Sequence, residues 1–114
     1  MEFKKQKSIY LQIADTLCER IVSGEWSPGE RMASVRDVAG ELGVNPNTVL
    51  RAFDHLQSND IIFNRRGVGY YVSENAGQKI VDVQRKEFLE EELPMILQRM
   101  KMLGIKYNEL NIEQ

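Results

Sequence analysis

The sequence predicts a mainly α protein with one small β-hairpin, on three observations. An apolar stripe with helical spacing occurs three times before residue 58. Over residues 61–73 the apolar period then changes from about 3.6 to about 2. Beyond residue 77 a helical pattern returns and runs to residue 103.

The first stripe is Tyr10, Ile13, Ala14, Leu17 and Ile21, the second Val35, Val38, Ala39 and Leu42, and the third Val49, Ala52, Phe53 and Leu56. Each follows the i, i+3, i+4, i+7 spacing of a helix that buries one face in a shared core. Ser8 is placed to cap the first helix and Ser23-Gly24 to stop it. Residues 24–29, with Pro28, read as a loop in which Trp26 folds back as an apolar lid. Ser34 caps the second helix, with Asp37 three residues on as a variant capping box. Gly43 suits a left-handed C-terminal stop. Asn45 caps the third helix, and Pro46 takes its first position, where a missing N–H does no harm. Only Gly43 and Val44 separate the second and third helices, the spacing of a helix-turn-helix. A plain helical hairpin in a bundle has the same spacing.

After the third helix, residues 61–64 and 70–73 are β-branched or aromatic runs around Arg65-Arg66-Gly67-Val68-Gly69. They read as a hairpin with a glycine-rich tip. Three helices followed by such a hairpin make a winged helix-turn-helix. Two arginines at the tip suit phosphate or a narrow minor groove, and they are equally at home in an idle solvated turn.

Charge gives no such pointer. The chain carries a net −2, and within residues 1–73 nine basic residues (Lys4, Lys5, Lys7, Arg20, Arg31, Arg36, Arg51, Arg65 and Arg66) face nine Asp or Glu. DNA-binding domains are usually basic, so any nucleic-acid function here requires charges sorted by face. The third helix offers such a face. Opposite its apolar side lie Asn47, Arg51, Asp54, His55 and Ser58, with Thr48 at the flank. Asparagine pairs with adenine and arginine with guanine, while threonine touches phosphate or a thymine methyl. Asn45, Asn47, Thr48 and Arg51 are therefore the expected reading set, at the end of the helix that reaches base edges. His55 is expected on the surface, towards the DNA backbone.

Other chemistry is not signalled. Cys18 alone forms no internal disulfide or cysteine-rich metal site and reads as a partly buried thiol. No metal site and no cofactor are expected. There is no nucleophile–base pair, carboxylate dyad or phosphate loop, so an enzyme is not expected. No apolar run approaches the roughly 18 residues of a membrane span, and the opening Met1 to Lys7 has no apolar stretch behind it. The chain is expected in the cytoplasm, away from membranes.

The stretches Gly29 to Ala39, Leu42 to Val49 and Arg65 to Val72, with Ile9-Tyr10-Leu11-Gln12-Ile13 before them, resemble the GntR family of bacterial regulators. The words Ser34-Val35-Arg36 and Val44-Asn45-Pro46-Asn47-Thr48-Val49 look like its YtrA subfamily. The resemblance covers residues 8–73 and reaches the tail between Phe88 and Leu110. It implies a DNA-binding transcription regulator, of the repressor kind, that binds a palindromic operator as a homodimer and controls a transporter operon. It also implies that Ser34 and Arg36 lie near DNA, that Asn45, Pro46, Asn47 and Thr48 sit at the major groove, and that Arg65, Arg66 and Gly67 form the wing tip at the minor groove. Three departures stand out: Ala33 replaces a usual proline, Asn59-Asp60 stands where an acidic-Gly or Asp-Gly pair is typical, and Leu50 occupies a position that is often arginine.

The expected division is residues 1–74 for the winged helix-turn-helix and 75–114 for a short C-terminal helical dimerisation region. In the latter, Leu89, Leu93, Ile96, Met100 and Leu103 step by 4, 3, 4 and 3, a short coiled-coil seam to which Phe88 and Leu97 are added. Pro94 should break or kink this segment and start a second helix, and a last turn is expected near Tyr107 to Leu110. Helices this short enclose no drug-sized cavity, so no large effector-binding domain is expected. The seam finds its partner in a second subunit or folds back on its own winged helix. A winged helix serving as a protein-interaction module is the competing function.

Overall fold

A computed structural model describes residues 7–113. Of the charged opening segment, Met1 to Gln6 lie outside the described residues, among them Lys4 and Lys5. The elements are α1 (Ile9–Val22), α2 (Val35–Leu42), α3 (Pro46–Ser58), β1 (Ile62–Arg65), β2 (Gly69–Val72), α4 (Ala76–Glu87), a π-helical turn (Phe88–Glu92), α5 (Leu93–Leu103) and a final 3-10 turn (Tyr107–Leu110). The mainly α fold with a single antiparallel hairpin is as the sequence predicts.

Residues 7–83 form one compact unit and residues 84–113 another. The core of the first is built from the three stripes. Leu17, Val49, Ala52 and Phe53 are fully buried, and Ile13, Val38, Ala39 and Leu56 nearly so. Leu42, the last residue of the second stripe, is exposed instead. Trp26 closes over this core as expected, and Ile61, Ile62 and Val72 enter it from the hairpin. Ala76 and Ile80 join it from the first half of α4, so this unit continues past the boundary expected at residue 74.

The helix ends follow their capping chemistry. Ser8 accepts the N–H groups of Leu11 and Gln12 on its carbonyl, but its hydroxyl makes no cap. Ser34 and Asp37 form the reciprocal box, at 3.0 and 3.3 Å, and the Asn45 side chain accepts the Asn47 N–H at 2.7 Å. Gly43 takes the left-handed conformation, at φ +67°. Helix α3 ends in the same way without a glycine. Ile61 N–H reaches Leu56 O and Asp60 N–H reaches Gln57 O, both at 3.0 Å, the paired bonds of a Schellman stop. That geometry puts Asp60 at φ +59°, a conformation that costs most residues but that Asp tolerates. The Asn59-Asp60 departure therefore leaves the exit geometry intact and places a modest strain on one residue.

Two features exceed the sequence expectation. The segment before Ser34 is not all loop: Gly29 N–H and Val72 O bond at 2.8 Å, Val72 N–H and Glu30 O at 3.0 Å, and Met32 N–H and Tyr70 O at 2.9 Å. Arg31 thereby forms an antiparallel bridge with Tyr71, which adds a minimal third strand to the hairpin. The second feature is the π turn ahead of Pro94. Leu93 N–H bonds Phe88 O, five residues back. Proline offers no N–H and its ring clashes with the carbonyl four residues before it. The wider turn loosens the backbone there, and Pro94 then sits in the first turn of α5. The expected break or kink at Pro94 appears as a π turn, through which residues 76–103 stay helical without interruption.

We predict that Asp60→Gly stabilises the domain by about 0.5–1 kcal/mol, because glycine takes positive φ without strain and the Asp60 side chain is exposed. Urea unfolding of the two proteins checks this, and a destabilised variant would mean that Asp60 is not strained.

Candidate nucleic-acid interface

Helix α3 is clamped by its apolar face, so its opposite face is presented outward. Asn45, Pro46, Asn47, Leu50, Arg51, Asp54, Gln57 and Ser58 are exposed, and Thr48 is half-buried. The expected reading residues thus share the outer side of one helix and its N-terminus. Leu50 joins them at 40% exposure, an apolar group on a face otherwise polar.

Two expected residues are placed differently. The Arg51 guanidinium lies 4.2 Å from the centroid of the Tyr10 ring, a cation–π contact between α3 and α1. The group is stacked on one side and remains exposed on the outward face. His55 packs edge-on against the same ring, with centroids 6.2 Å apart, and is half-buried. The surface position expected for it is therefore corrected, since Tyr10 draws both side chains onto one apolar spot.

The wing is tied to α3 through aromatic packing. Tyr70 of β2 stands edge-on to buried Phe53, with centroids 4.8 Å apart. Across the hairpin Ile62 pairs with Val72, Phe63 with Tyr71, Asn64 with Tyr70 and Arg65 with Gly69. Val68 N–H then closes the tip onto Arg65 O at 2.8 Å, with Gly67 at φ +77°. A side chain at that φ would be strained, so the glycine lets the chain reverse within three residues. Arg65, Arg66 and Gly67 are all exposed, and Arg65 lies over Tyr71 at 4.8 Å.

Electrostatic pairing resolves the neutral charge balance. Arg20 bonds both Glu25 oxygens from Nε at 3.0 Å and Glu41 from Nη1 at 2.6 Å, while stacking on Trp26 at 4.5 Å. The Arg20 hydrogen bond holds the Glu25 carboxyl below its ordinary pKa. Lys7 pairs with Asp15 at 2.6 Å. By contrast, Arg31, Arg36, Arg51, Arg65 and Arg66 make no ion pair among the described residues. Arg36 is exposed on the first turn of α2, about 140° around that helix from Glu41 at 100° per residue. Asp15, Glu25 and Glu41 are thus engaged with Lys7 and Arg20, and the arginines of α2 and the wing have no carboxylate partner among the described residues.

Among the described residues, no group of His, Cys, Asp and Glu is arranged to hold a metal, and no helix is long and apolar enough to cross a membrane.

Three helices, a three-residue turn and a wing fastened to the third helix define a winged helix-turn-helix DNA-binding protein. Residues 9–72 match the family described as bacterial regulatory proteins, gntR family. The chain is 38% identical over 109 residues to the HTH-type transcriptional regulator YhcF of Bacillus subtilis, covering 96% of this chain and 88% of that protein. It is 33% identical over 103 residues to the transcriptional repressor YtrA of the same organism, covering 90% of this chain and 78% of that one. A crystal structure of a GntR-family regulator from Bacteroides thetaiotaomicron superposes with a TM-score of 0.76 at 38% identity, covering 90% of this chain and 89% of that one. The chain belongs to the GntR family of DNA-binding transcriptional regulators, whose members are not enzymes.

We predict that Arg51→Gln lowers stability by about 0.5–1 kcal/mol through loss of the Tyr10 stack. Urea unfolding measures it, and unchanged stability would return Arg51 to the free surface.

Proposed function

We propose that the protein is a repressor that binds a palindromic operator as a homodimer, reading it with the N-terminal half of α3 and bracing it with Arg36 and the wing. The observation that carries this reading is the segregation of charge. Among the described residues Arg36, Arg65 and Arg66 make no ion pair, in a chain of net −2, and they stand on elements fastened to one helix whose polar face is outward. Unpaired guanidinium groups suit phosphate. Asn45, Asn47 and Thr48 supply base-edge donors and acceptors, Pro46 shapes the helix start, Ser34 holds the start of α2, and Leu50 suits a thymine methyl. Arg51, exposed while stacked on Tyr10, completes the reading set. Repression follows the likeness to YtrA, named a transcriptional repressor, and control of a transporter operon is only what the subfamily resemblance of the sequence implies.

The second subunit is argued from the C-terminal unit. Phe88, Leu89, Ile96, Leu97 and Leu103 are between 38% and 65% exposed, an apolar surface beyond what scattered single residues leave. Leu93 is half-buried and Met100 is buried within the chain's own fold. Across the π turn Phe88, not Leu89, is bonded to Leu93, so the surface is not a straight 4-3-4-3 seam. Two-fold pairing of these faces matches a palindromic site. Residues 75–114 are proposed as the dimerisation region on this basis.

We predict that Arg36→Ala and Arg66→Ala each weaken binding to the footprinted promoter duplex by about tenfold or more without changing the unfolding midpoint. Fluorescence anisotropy checks this, and unchanged affinity in both variants would favour a protein-interaction module. We further predict that Leu97→Glu yields monomers in sedimentation equilibrium. Exposed Leu97 is a cleaner probe than buried Met100, and dimers persisting in that variant would place the interface elsewhere.

A further inference from the structure

The short strand before α2 carries an arginine that neither the recognition helix nor the wing tip accounts for. We propose that Arg31 is a separate phosphate-binding arm, seated on Gly69 and directed at the DNA backbone beside the wing; the proposal rests on the DNA-binding reading above. Bridge partners in an antiparallel pair project from the same face of a sheet. Arg31 pairs with Tyr71 and Tyr71 with Phe63, while Arg65 pairs with Gly69. Arg31, Tyr71, Phe63 and Arg65 therefore share one face. Phe63 and Tyr71 stack there at 5.7 Å with planes 19° apart.

The Arg31 side chain runs across the second strand to the root of the tip. A Cβ built on Gly69 would stand 2.8 Å from Arg31 Nε, 3.3 Å from Nη2 and 3.4 Å from Cζ. Gly69, at φ +149°, is thus bare where the guanidinium lies. Gly69 is therefore required twice, by its positive φ and by the close approach of Arg31. The seat brings a charge from residue 31 to within one strand position of the Arg66 tip.

Two guanidinium groups, of Arg31 and Arg65, lie on this face with no ion pair among the described residues. Each rests on a flat surface, one on glycine backbone and the other on the Tyr71 ring. Like charges held on one face repel, and an anion relieves that repulsion. A planar guanidinium already positioned loses less freedom when it binds. A phosphate backbone passing the wing fits both conditions. It is also the only anion that the adjacent tip arginine would engage in the same event.

The test compares Arg31→Ala and Arg31→Lys with the parent full-length protein, using a random-sequence DNA duplex and the footprinted promoter duplex over a range of salt. A phosphate contact carries no sequence information, so Arg31→Ala should weaken both complexes alike, by about fivefold, and lower the salt slope by about one per subunit. Arg31→Lys should recover most of the slope. Unchanged affinity and slope in Arg31→Ala, with Arg66→Ala still weakened, would overturn this inference alone. Loss of binding to the promoter duplex only would show base reading and would also overturn it. A flat salt response in the parent protein would overturn the DNA reading itself.

Discussion

The contact between Phe53 and Tyr70 is the constraint on which the rest of the first unit depends. Phe53 is fully buried in the middle of α3, and its ring meets Tyr70 of β2 edge-on. Aromatic pairs in this arrangement add about 0.5–1.5 kcal/mol beyond the area they bury, and truncating a core phenylalanine costs about 3–5 kcal/mol. That is a large part of the roughly 5–15 kcal/mol that holds a small domain folded. The same side chain therefore anchors α3 against α1 and sets the wing relative to α3. A regulator whose helix and wing must meet two grooves at once needs this relation to be rigid.

Charge is arranged around that scaffold by pairing more than by number. Arg20 closes Glu25 and Glu41 together over Trp26, and Lys7 closes Asp15. A doubly paired surface arginine adds little stability; its main effect is on the field, since two carboxylates are neutralised near the helical core. Among the described residues the arginines of α2 and the wing form no ion pair, although the chain's total is acidic. Arg51 and Arg65 each rest on an aromatic ring, Tyr10 and Tyr71, without an ion pair among the described residues.

Most of the fold was legible because its signals are local. Each apolar stripe reports a buried helix face, and Ser34, Gly43, Asn45 and Pro46 mark boundaries through chemistry acting over a few residues. The hairpin was legible for the same reason, through the turn requirement at Gly67. What escaped depends on distant partners. The strand at Glu30 to Met32 is too short to show a period and exists only because β2 is there to bond it. The Tyr10 stack joins residues more than forty positions apart, so Arg51 and His55 looked like surface residues on their own helix. Buried Met100 kept the seam's spacing while its place was decided by the fold of the C-terminal unit. Of the candidate interface, the sequence showed the helix face and the tip; it did not show Arg31, whose relevance appears only once Gly69 lies beneath it.

The central claim is that a net-acidic protein binds DNA through a few arginines freed by the pairing of its acids. It is tested most directly by the dependence of promoter-duplex affinity on salt concentration. Counterion release gives a slope of about −0.9 per neutralised phosphate. With at least two phosphates held by each subunit, the logarithmic slope should be steeper than about −3.5 for the two-subunit complex. A slope near zero with affinity retained would contradict the account, because the unpaired arginines would then not be meeting the DNA backbone.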